Sequence, residues 1–337
     1  MTSKSEVISS RNIGLDIVKA TAIFFVVGVH FFLNTRFYLS SLNSMNLTIQ
    51  LFVQQLFLTC IPLFLMSTGY LNNHTEINKR YFKKIIPVIL VYILYSIFAL
   101  IYRYNYGDVE FNVSLWINLI SIFKGNTYSW YINLYFGLFL LAPFLNRLYF
   151  SLENKSEKRI LIFILALLSI FSADLPIPDY WAKVYPLAYF YIGKYFKEFK
   201  PELKLSKNIL YLFIVIIVQV SIEYIFADGG KYIKVINHYS STLRSIEACL
   251  IFSLLYTKNI KNVVIRKLIT DISSITLDIY LASYVTDKLL YGYMKTFPIS
   301  QEQFFFMFIP LVATSFLGAY IIAKIRTKFI QLEKLIK

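Results

Sequence analysis

Long apolar runs, each close to twenty residues in length, constrain the fold of this chain more than any other feature. A bilayer core of about 30 Å is crossed by a helix of about 20 mostly apolar residues. Hydrophobic residues make up 57% of the sequence and charged residues 16%, whereas soluble domains hold roughly 45–50% and about 25%. The sequence therefore predicts an all-α integral membrane protein, and it excludes a soluble globule, a disordered chain and a disulfide-rich scaffold.

Ten segments have the length and composition of membrane spans, and no repeat at a fixed period relates them. The segments are 13–33, 48–71, 85–103, 130–150, 159–173, 181–196, 207–227, 240–257, 274–291 and 303–324. A shorter apolar run at 113–123 predicts an interfacial helix that leads into the fourth span. We therefore expect a bundle of about ten transmembrane helices, forming one membrane domain over residues 1–337 with no soluble extracellular domain.

The distribution of lysine and arginine predicts which side of the membrane each loop occupies. With the N-terminus placed inside, 25 of the 34 cations fall in the N-terminal segment, the even-numbered loops and the C-terminal tail, which leaves 9 elsewhere. Cytoplasmic loops of membrane proteins carry such an excess. We therefore expect both termini in the cytoplasm, and the net charge of +15 is assigned to the cytoplasmic leaflet rather than to nucleic acid.

The first predicted span carries ionisable residues along one helical face. Lys19 and His30 are 11 residues apart, which is close to three whole turns and about 16 Å of rise. Asp16 and Asn34 lie on the same stripe. Ionisable groups within a membrane are costly and often functional. Two interpretations stay open: an interfacial Asp16–Lys19 ion pair beside a hydrogen-bonded histidine, or a reaction centre around His30.

A basic run opens the third predicted span. It contains Lys79, Arg80, Lys83 and Lys84. One interpretation is topological anchoring of the span at the cytoplasmic surface. The other is a site in which these charges hold the phosphates of a nucleotide-like molecule.

Two later spans also contain charged residues. In the ninth, Asp278 stands among apolar residues with Tyr280 and Ser283 close by. In the eighth, Arg244 and Glu247 have the i,i+3 spacing of an intrahelical ion pair. We therefore expect Asp278 to be functional, and the eighth-span pair to be satisfied internally.

Five separated motifs follow one another along the chain. They are LDIVKATAIFFVVGVH, PLFLMSTGYL, KKIIP, SWYINLYFGLFLLAPFLN and ISSITLDIYLAS. In this order they resemble the signature of the acyltransferase-3 family, whose members are ten-helix bacterial membrane enzymes that O-acylate surface polysaccharides and peptidoglycan. The first motif is similar to the family's D-x-x-[RK]-x10-H, with Asp16, Lys19 and His30 on its positions.

The resemblance implies a multi-pass acyltransferase of the bacterial plasma membrane. It implies acetyl-coenzyme A, or a slightly larger acyl-coenzyme A, as a cytoplasmic co-substrate, with no permanently bound cofactor. The acceptor is expected to be a hydroxyl of a cell-surface polysaccharide or lipid-linked glycan. Membrane lipids are the other expected partner, and neither a metal site nor a nucleic-acid partner is expected.

The same resemblance implies roles for particular residues. His30 is expected to act as general base or nucleophile, with Asp16, Lys19 and Asp278 as further catalytic residues. Donor phosphates are expected at Lys79, Arg80, Lys83 and Lys84. The acceptor is expected at Trp130, Tyr131, Tyr280 and Ser283. Asp278 is further expected to face the same cavity as His30 and to bind the acceptor or orient the imidazole.

The chain departs from the family pattern in the basic run, where Arg80, Lys83 and Lys84 supply charge without the family's paired-arginine spacing, and at two single positions. Lys19 stands where arginine is commoner, which keeps the charge but loses the bidentate fork. Ser283 stands where the family has a late histidine. The role of that second histidine is therefore expected to be absent or taken over by another group.

Two other function classes stay open. A transporter or flippase for lipid-linked glycans would use Asp16, Glu223 and Asp278 as a proton path, although such proteins usually show repeats or broken helices. A non-catalytic partner of a polysaccharide synthase would keep the fold without the chemistry.

Overall fold

The computed structural model describes residues 11–106, 127–171, 174–175, 180–227, 230, 235 and 238–331. Within these residues the secondary structure is helical, and no β-strand is present. The α-helices of the described part are α1 Ile13–Asn34, α2 Met45–Phe57, α3 Cys60–Leu71, α4 Lys79–Lys83, α5 Ile86–Asn105, α6 Trp130–Ser151, α7 Lys155–Ala166, α8 Tyr185–Phe199, α9 Leu205–Ile225, α10 Thr242–Leu255, α11 Val263–Ser274, α12 Thr276–Met294 and α13 Phe308–Phe329.

Helices occupy every one of the ten predicted segments, but not all have the length of a membrane span. Among the described residues, six helices are long and apolar enough to cross a membrane: Ile13–Asn34, Met45–Leu71, Lys79–Asn105, Trp130–Ser151, Leu205–Ile225 and Phe308–Phe329. The count rises to seven if α11 and α12, which meet at a bend of 76°, are taken together as one span. In the other three segments, α7, α8 and α10 have 12, 15 and 14 residues. The interfacial helix predicted at 113–123 lies outside the described residues.

The first helix, α1, lies in the interior of the bundle. It packs against α2, α3, α10, α11, α12 and α13, and Val18, Ala22 and Val27 have no exposed surface. The side chain of Asn12 caps its N-terminus by accepting a hydrogen bond from the Leu15 amide, which satisfies one of the free amides there. The ionisable stripe predicted on this helix therefore faces protein and not lipid.

Two glycines allow α3 and α8 to cross at backbone contact. A methyl group at Gly69 would lie 1.9 Å from the carbonyl oxygen of Phe190, and one at Gly193 would lie 2.0 Å from that of Met66. Small residues permit such close approach of helices in membranes. The crossing fixes the C-terminal end of α3, where the polypeptide leaves the bundle.

The buried Arg244 holds α10 to α2. Arg244 contacts Glu247 at 2.5 Å, and it also donates to the backbone carbonyl of Gln55 in the last turn of α2. Gln219 from α9 donates to the same carboxylate at 3.1 Å. The pairing predicted from the i,i+3 spacing is confirmed. It fixes the chain just before the break between α2 and α3.

Candidate active site

His30 lies in the interior of the bundle, between α1 and α12. Its Nδ1 is 2.9 Å from Oδ2 of Asp287 and 3.3 Å from Oγ of Ser283. In the part of the chain that the structure describes, Nε2 has no hydrogen-bond partner. A carboxylate beside Nδ1 favours a proton on that nitrogen and leaves Nε2 basic. In this arrangement the imidazole can accept a proton at Nε2 while the carboxylate holds the proton on Nδ1.

Asp287 is a residue that the sequence reasoning missed. Its Oδ1 accepts a hydrogen bond of 2.5 Å from Oγ of Ser315 in α13, and Ser315 lies 3.1 Å from Oγ1 of Thr286. The carboxylate is therefore held from the side opposite His30. One signal was available in the sequence, because Asp287 is an ionisable residue inside a predicted span, one turn after Ser283.

An aromatic ring covers one face of the imidazole. Tyr128 stacks on His30 with ring centroids 3.8 Å apart. The side-chain amide of Asn34 donates to the Tyr128 hydroxyl at 2.7 Å and to the backbone carbonyl of His30 at 2.8 Å. Asn34, which the sequence placed on the same stripe as His30, thus ties the stacking tyrosine to α1.

A cavity of about 470 Å³ leads from an exposed surface into the bundle. Its outer end is lined by His74 and Lys84, and its inner end by Tyr131 and Tyr280. The ring of Tyr280 is 6.4 Å from that of His30, centroid to centroid. His30 does not line the cavity itself, so one aromatic side chain separates the cavity from the imidazole.

Lys19 lines this cavity, and Asp16 does not. The carboxylate of Asp16 accepts two hydrogen bonds from Arg11, at 2.6 and 2.8 Å, and a third from Ser273 at 2.6 Å. Among the described residues, the ammonium of Lys19 has no hydrogen-bond or ion-pair partner. The ion pair of Asp16 is therefore made with Arg11, and the Lys19 charge remains available to a molecule in the cavity.

Only one cation of the basic run reaches the cavity. Lys84 lines its outer end, and its Nζ is 2.9 Å from Nε2 of His74. The other three cations are exposed and do not line it: Lys79, Arg80 and Lys83. His74 was not predicted as a site residue, because a single histidine in a loop has no spacing to other polar residues that would indicate a site.

The segment that carries His74 is held by two helices. The side-chain amide of Asn146 in α6 donates to the backbone carbonyl of His74 at 2.7 Å, and Arg147 donates to that of Thr75 at 2.7 Å. From α8, Lys194 donates to the backbone carbonyl of Asn72 at 2.8 Å. These contacts fix the position of the imidazole at the outer end of the cavity.

The aromatic residues predicted to bind the acceptor divide into two groups. Tyr131 and Tyr280 meet edge to face at 6.0 Å and close the inner end of the cavity. Trp130 is partly exposed and stacks on Tyr239 with centroids 5.5 Å apart. Ser283 lies in neither group, because it is fully buried beside the imidazole.

Asp278 does not lie where the sequence reasoning expected it. Its carboxylate forms a bidentate pair with Arg326 of α13, at 2.7 and 2.5 Å, and it does not line the cavity. The expectation that Asp278 shares a cavity with His30 is therefore wrong. Asp278 and Asp287 are nine residues apart, which is two and a half helical turns, so they face opposite sides of α12.

Comparison with known proteins was made at the level of families, individual proteins and structures. The family model for the acyltransferase domain of the acyltransferase-3 family matches residues 12–324. No curated protein and no solved structure matches the chain. The matched region contains both the cavity and the His30–Asp287 pair. This chain therefore belongs to the acyltransferase-3 family of membrane acyltransferases.

Proposed function

We propose that this protein transfers an acetyl or other small acyl group from acyl-coenzyme A to a hydroxyl of a cell-surface or lipid-linked polysaccharide. The observation that carries the proposal is the cavity, which begins at the exposed His74 and Lys84 and ends one aromatic ring from His30. A long phosphate-bearing thioester fits such a shape, with its charged end outside and its acyl end inside.

The cations of the cavity support a phosphate-bearing donor. Lys84 and His74 would bind phosphate oxygens at the outer end by charge-assisted hydrogen bonds. Lys19 lies deeper, without a partner of its own among the described residues, and would hold polar groups of the pantetheine arm. Because Lys19 is about 16 Å of helix rise from His30, it positions the donor and does not contact the reacting carbon.

His30 would act as the general base. Its Nε2 takes the proton of the acceptor hydroxyl while Asp287 stabilises the charge that develops on the imidazole. The acceptor oxygen then attacks the thioester carbonyl, and the carbon–sulfur bond breaks. The imidazolium returns the proton to the thiolate, so the products are an ester and free coenzyme A.

The aromatic pair at the inner end of the cavity would act as a barrier in this reaction. Tyr280 stands between the cavity and the imidazole, and Tyr131 packs against it edge to face. For the thioester to reach His30, we propose that the ring of Tyr280 turns aside when both substrates are bound. Such a barrier keeps water away from the thioester until an acceptor is present.

The acceptor would approach past Trp130, which meets the cavity-lining Tyr131 edge to face. The indole of Trp130 is exposed and stacks on the half-buried ring of Tyr239, so it forms an aromatic surface beside Tyr131. Aromatic faces pack well against the apolar faces of sugar rings. This surface is therefore the proposed binding site for a glycan.

The proposed orientation places donor and acceptor on opposite sides of the bacterial plasma membrane. It uses about ten spans with both termini in the cytoplasm. Support comes from the helices over all ten apolar segments and from the bias of lysine and arginine toward one set of loops. In this orientation Lys84 and His74 face the cytoplasm, where acyl-coenzyme A is found.

The flippase alternative loses support from the contacts of its proton path. Of the three carboxylates that such a path would use, Asp16 is bound by Arg11 and Asp278 by Arg326. In each case the arginine binds both oxygens of the carboxylate, which leaves neither oxygen free to pass a proton along the path. The enzyme proposal does not use either carboxylate as a proton carrier.

The direct test of the proposal is an assay with purified protein. The protein is incubated with isotope-labelled acetyl-coenzyme A and a panel of capsule, teichoic acid, peptidoglycan and lipid-linked glycans, and the products are analysed by mass spectrometry. We expect one acceptor class to gain a labelled ester. Absence of labelled product from every acceptor, with coenzyme A binding intact, would favour the non-catalytic partner.

A further inference from the structure

The helix α11 has an apolar face that no other part of the described chain covers. Val264 is 76% exposed, Ile265 48% and Leu268 50%. These three residues lie on one side of the helix, whereas Ser273 and Thr270 lie on the side that contacts α1. The exposed residues therefore form a continuous apolar stripe over the first half of α11.

The helix is too short and too strongly bent away from its neighbour to be a membrane span of its own. Its 12 residues rise about 18 Å, well below the roughly 30 Å of a bilayer core. It meets α12 at 76°. If α12 crosses the membrane, α11 runs nearly parallel to the membrane surface.

Cations flank the apolar stripe. Lys258 and Lys261 precede the helix and Lys267 lies within it, and all three are exposed. The nearest carboxylate of the helix, Asp271, is neutralised by Lys324 at 2.8 Å and also accepts from the hydroxyl of Tyr320. The solvent side of α11 is therefore positively charged.

We propose that α11 lies in the membrane interface, with its apolar stripe among the acyl chains and its lysines on the headgroups of anionic phospholipids. A helix with one apolar and one basic face binds in this way, and anionic lipids strengthen its binding. Long lysine side chains reach from such a position to the headgroup level. Zwitterionic headgroups do not offer the same net negative charge.

The proposed lipid contact would be linked to the donor cavity by two hydrogen bonds and a short stretch of chain. Ser273 donates to Asp16 at the base of α1, and Arg11 donates to the carbonyl of Thr270. Directly after α11, Thr276 and Leu277 line the cavity. Seating α11 in the interface thus sets the position of one cavity wall.

The orientation of α11 is tested with a pair of labelled variants in nanodiscs. Ile265→Cys and Lys267→Cys lie on opposite sides of the helix, because two residues correspond to about 200° of rotation. Each is labelled with bimane, and the unsubstituted protein serves as the blank for Cys60 and Cys249. Phosphatidylcholine with brominated acyl chains should quench the probe at Ile265 strongly and the probe at Lys267 weakly.

The lipid preference is tested at the same Ile265 probe. Brominated phosphatidylglycerol should quench it more than brominated phosphatidylcholine at equal mole fraction. Replacing Lys258, Lys261 and Lys267 by glutamine should reduce that preference by up to about fivefold for each lysine. A matched triple replacement of Lys155, Lys204 and Lys207 should leave it unchanged.

Two results would overturn the proposal. If neither brominated lipid quenches the Ile265 probe, a protein partner or a second copy of the chain covers the stripe. If quenching is strong but equal for both lipids in every variant, the lysines do not select anionic headgroups. Monodisperse elution of each variant serves as the check that the fold is kept.

Discussion

At the residue scale, the sequence located half of the proposed catalytic pair. His30 could be predicted because a lone histidine within a span, three turns from Lys19, stands out against apolar neighbours. Asp287 could not be distinguished from Asp278 by sequence, since both are carboxylates inside the same span. Which of them faces α1 depends on the rotation of α12 in the bundle, and the contacts with Ser315 and Arg326 in α13 fix that rotation.

The two carboxylates of α12 should respond differently to the same substitution. Asp287→Asn should lower kcat by about 10²–10⁴, the usual contribution of general acid–base catalysis, with little change in melting temperature. Asp278→Asn should instead destabilise the protein, because breaking a buried ion pair costs about 3–5 kcal/mol. Turnover per folded molecule should persist in that variant. The measurements are kcat and thermal unfolding in detergent, made on both variants in parallel.

A reversed pattern would contradict the site. If Asp278→Asn loses turnover while keeping its stability, and Asp287→Asn behaves in the opposite way, the imidazole is not supported by Asp287. His30 would then need another partner.

The basic run before α5 should divide into one functional cation and three that are not. Lys84→Gln should raise KM for acyl-coenzyme A by about fivefold, corresponding to about 1 kcal/mol for an exposed charge-assisted contact. Lys83→Gln should leave KM within experimental error, because Lys83 does not line the cavity. Steady-state kinetics over a range of donor concentrations checks both.

The same steady-state kinetics also give KM for the glycan acceptor, which serves as the control. KM for the glycan should be unchanged in both lysine variants. An equal effect of Lys83 and Lys84 on the donor would mean that the run acts through general surface charge and not through a contact at the cavity.

At the element scale, hydrophobic length predicted where helices occur but not where they break. The interruption between α2 and α3 lies just before Pro62, which has no N–H for the carbonyl of Leu58 and whose ring clashes with that carbonyl. The bend before α12 has neither glycine nor proline, and it depends on a tertiary contact, the hydrogen bond that Ser273 donates to Asp16. The pattern of apolar residues alone does not predict such a contact.

The close crossing of α3 and α8 should be sensitive to a single methyl group. Gly69→Ala should lower the stability by about 1–3 kcal/mol or more, because the new Cβ meets the backbone of Phe190, which cannot move aside. Gly137→Ala in α6 is the matched control, since nothing lies within 4 Å of a Cβ there. Thermal unfolding in detergent compares the two.

Equal melting temperatures for these two variants would argue against the crossing. In that case the α3–α8 crossing would not fix the end of α3, from which the segment carrying His74 leaves the bundle.

At the scale of the whole molecule, the charge pattern predicts a topology that can be tested in cells. Single cysteines at Ser156 and Asn259 should resist a membrane-impermeant thiol reagent in intact cells, and one at Asn105 should react. All three should react after permeabilisation, which controls for burial. Labelling of Ser156 in intact cells would invert the orientation and place the Lys84 end of the cavity away from cytoplasmic acyl-coenzyme A.

The whole-molecule account joins a donor cavity, a separating tyrosine and a base supported by a carboxylate. Its central claim is that His30 performs acyl transfer without being needed for donor binding, because it does not line the cavity. The two properties can be measured on the same purified protein. Binding is followed with labelled coenzyme A, and transfer with labelled acetyl-coenzyme A and the acceptor identified in the glycan panel.

His30→Ala tests that claim most directly. The account predicts that the variant binds coenzyme A with the affinity of the unsubstituted protein and forms at least about 10²-fold less ester. Near-normal ester formation by His30→Ala, at equal membrane levels, would contradict the account.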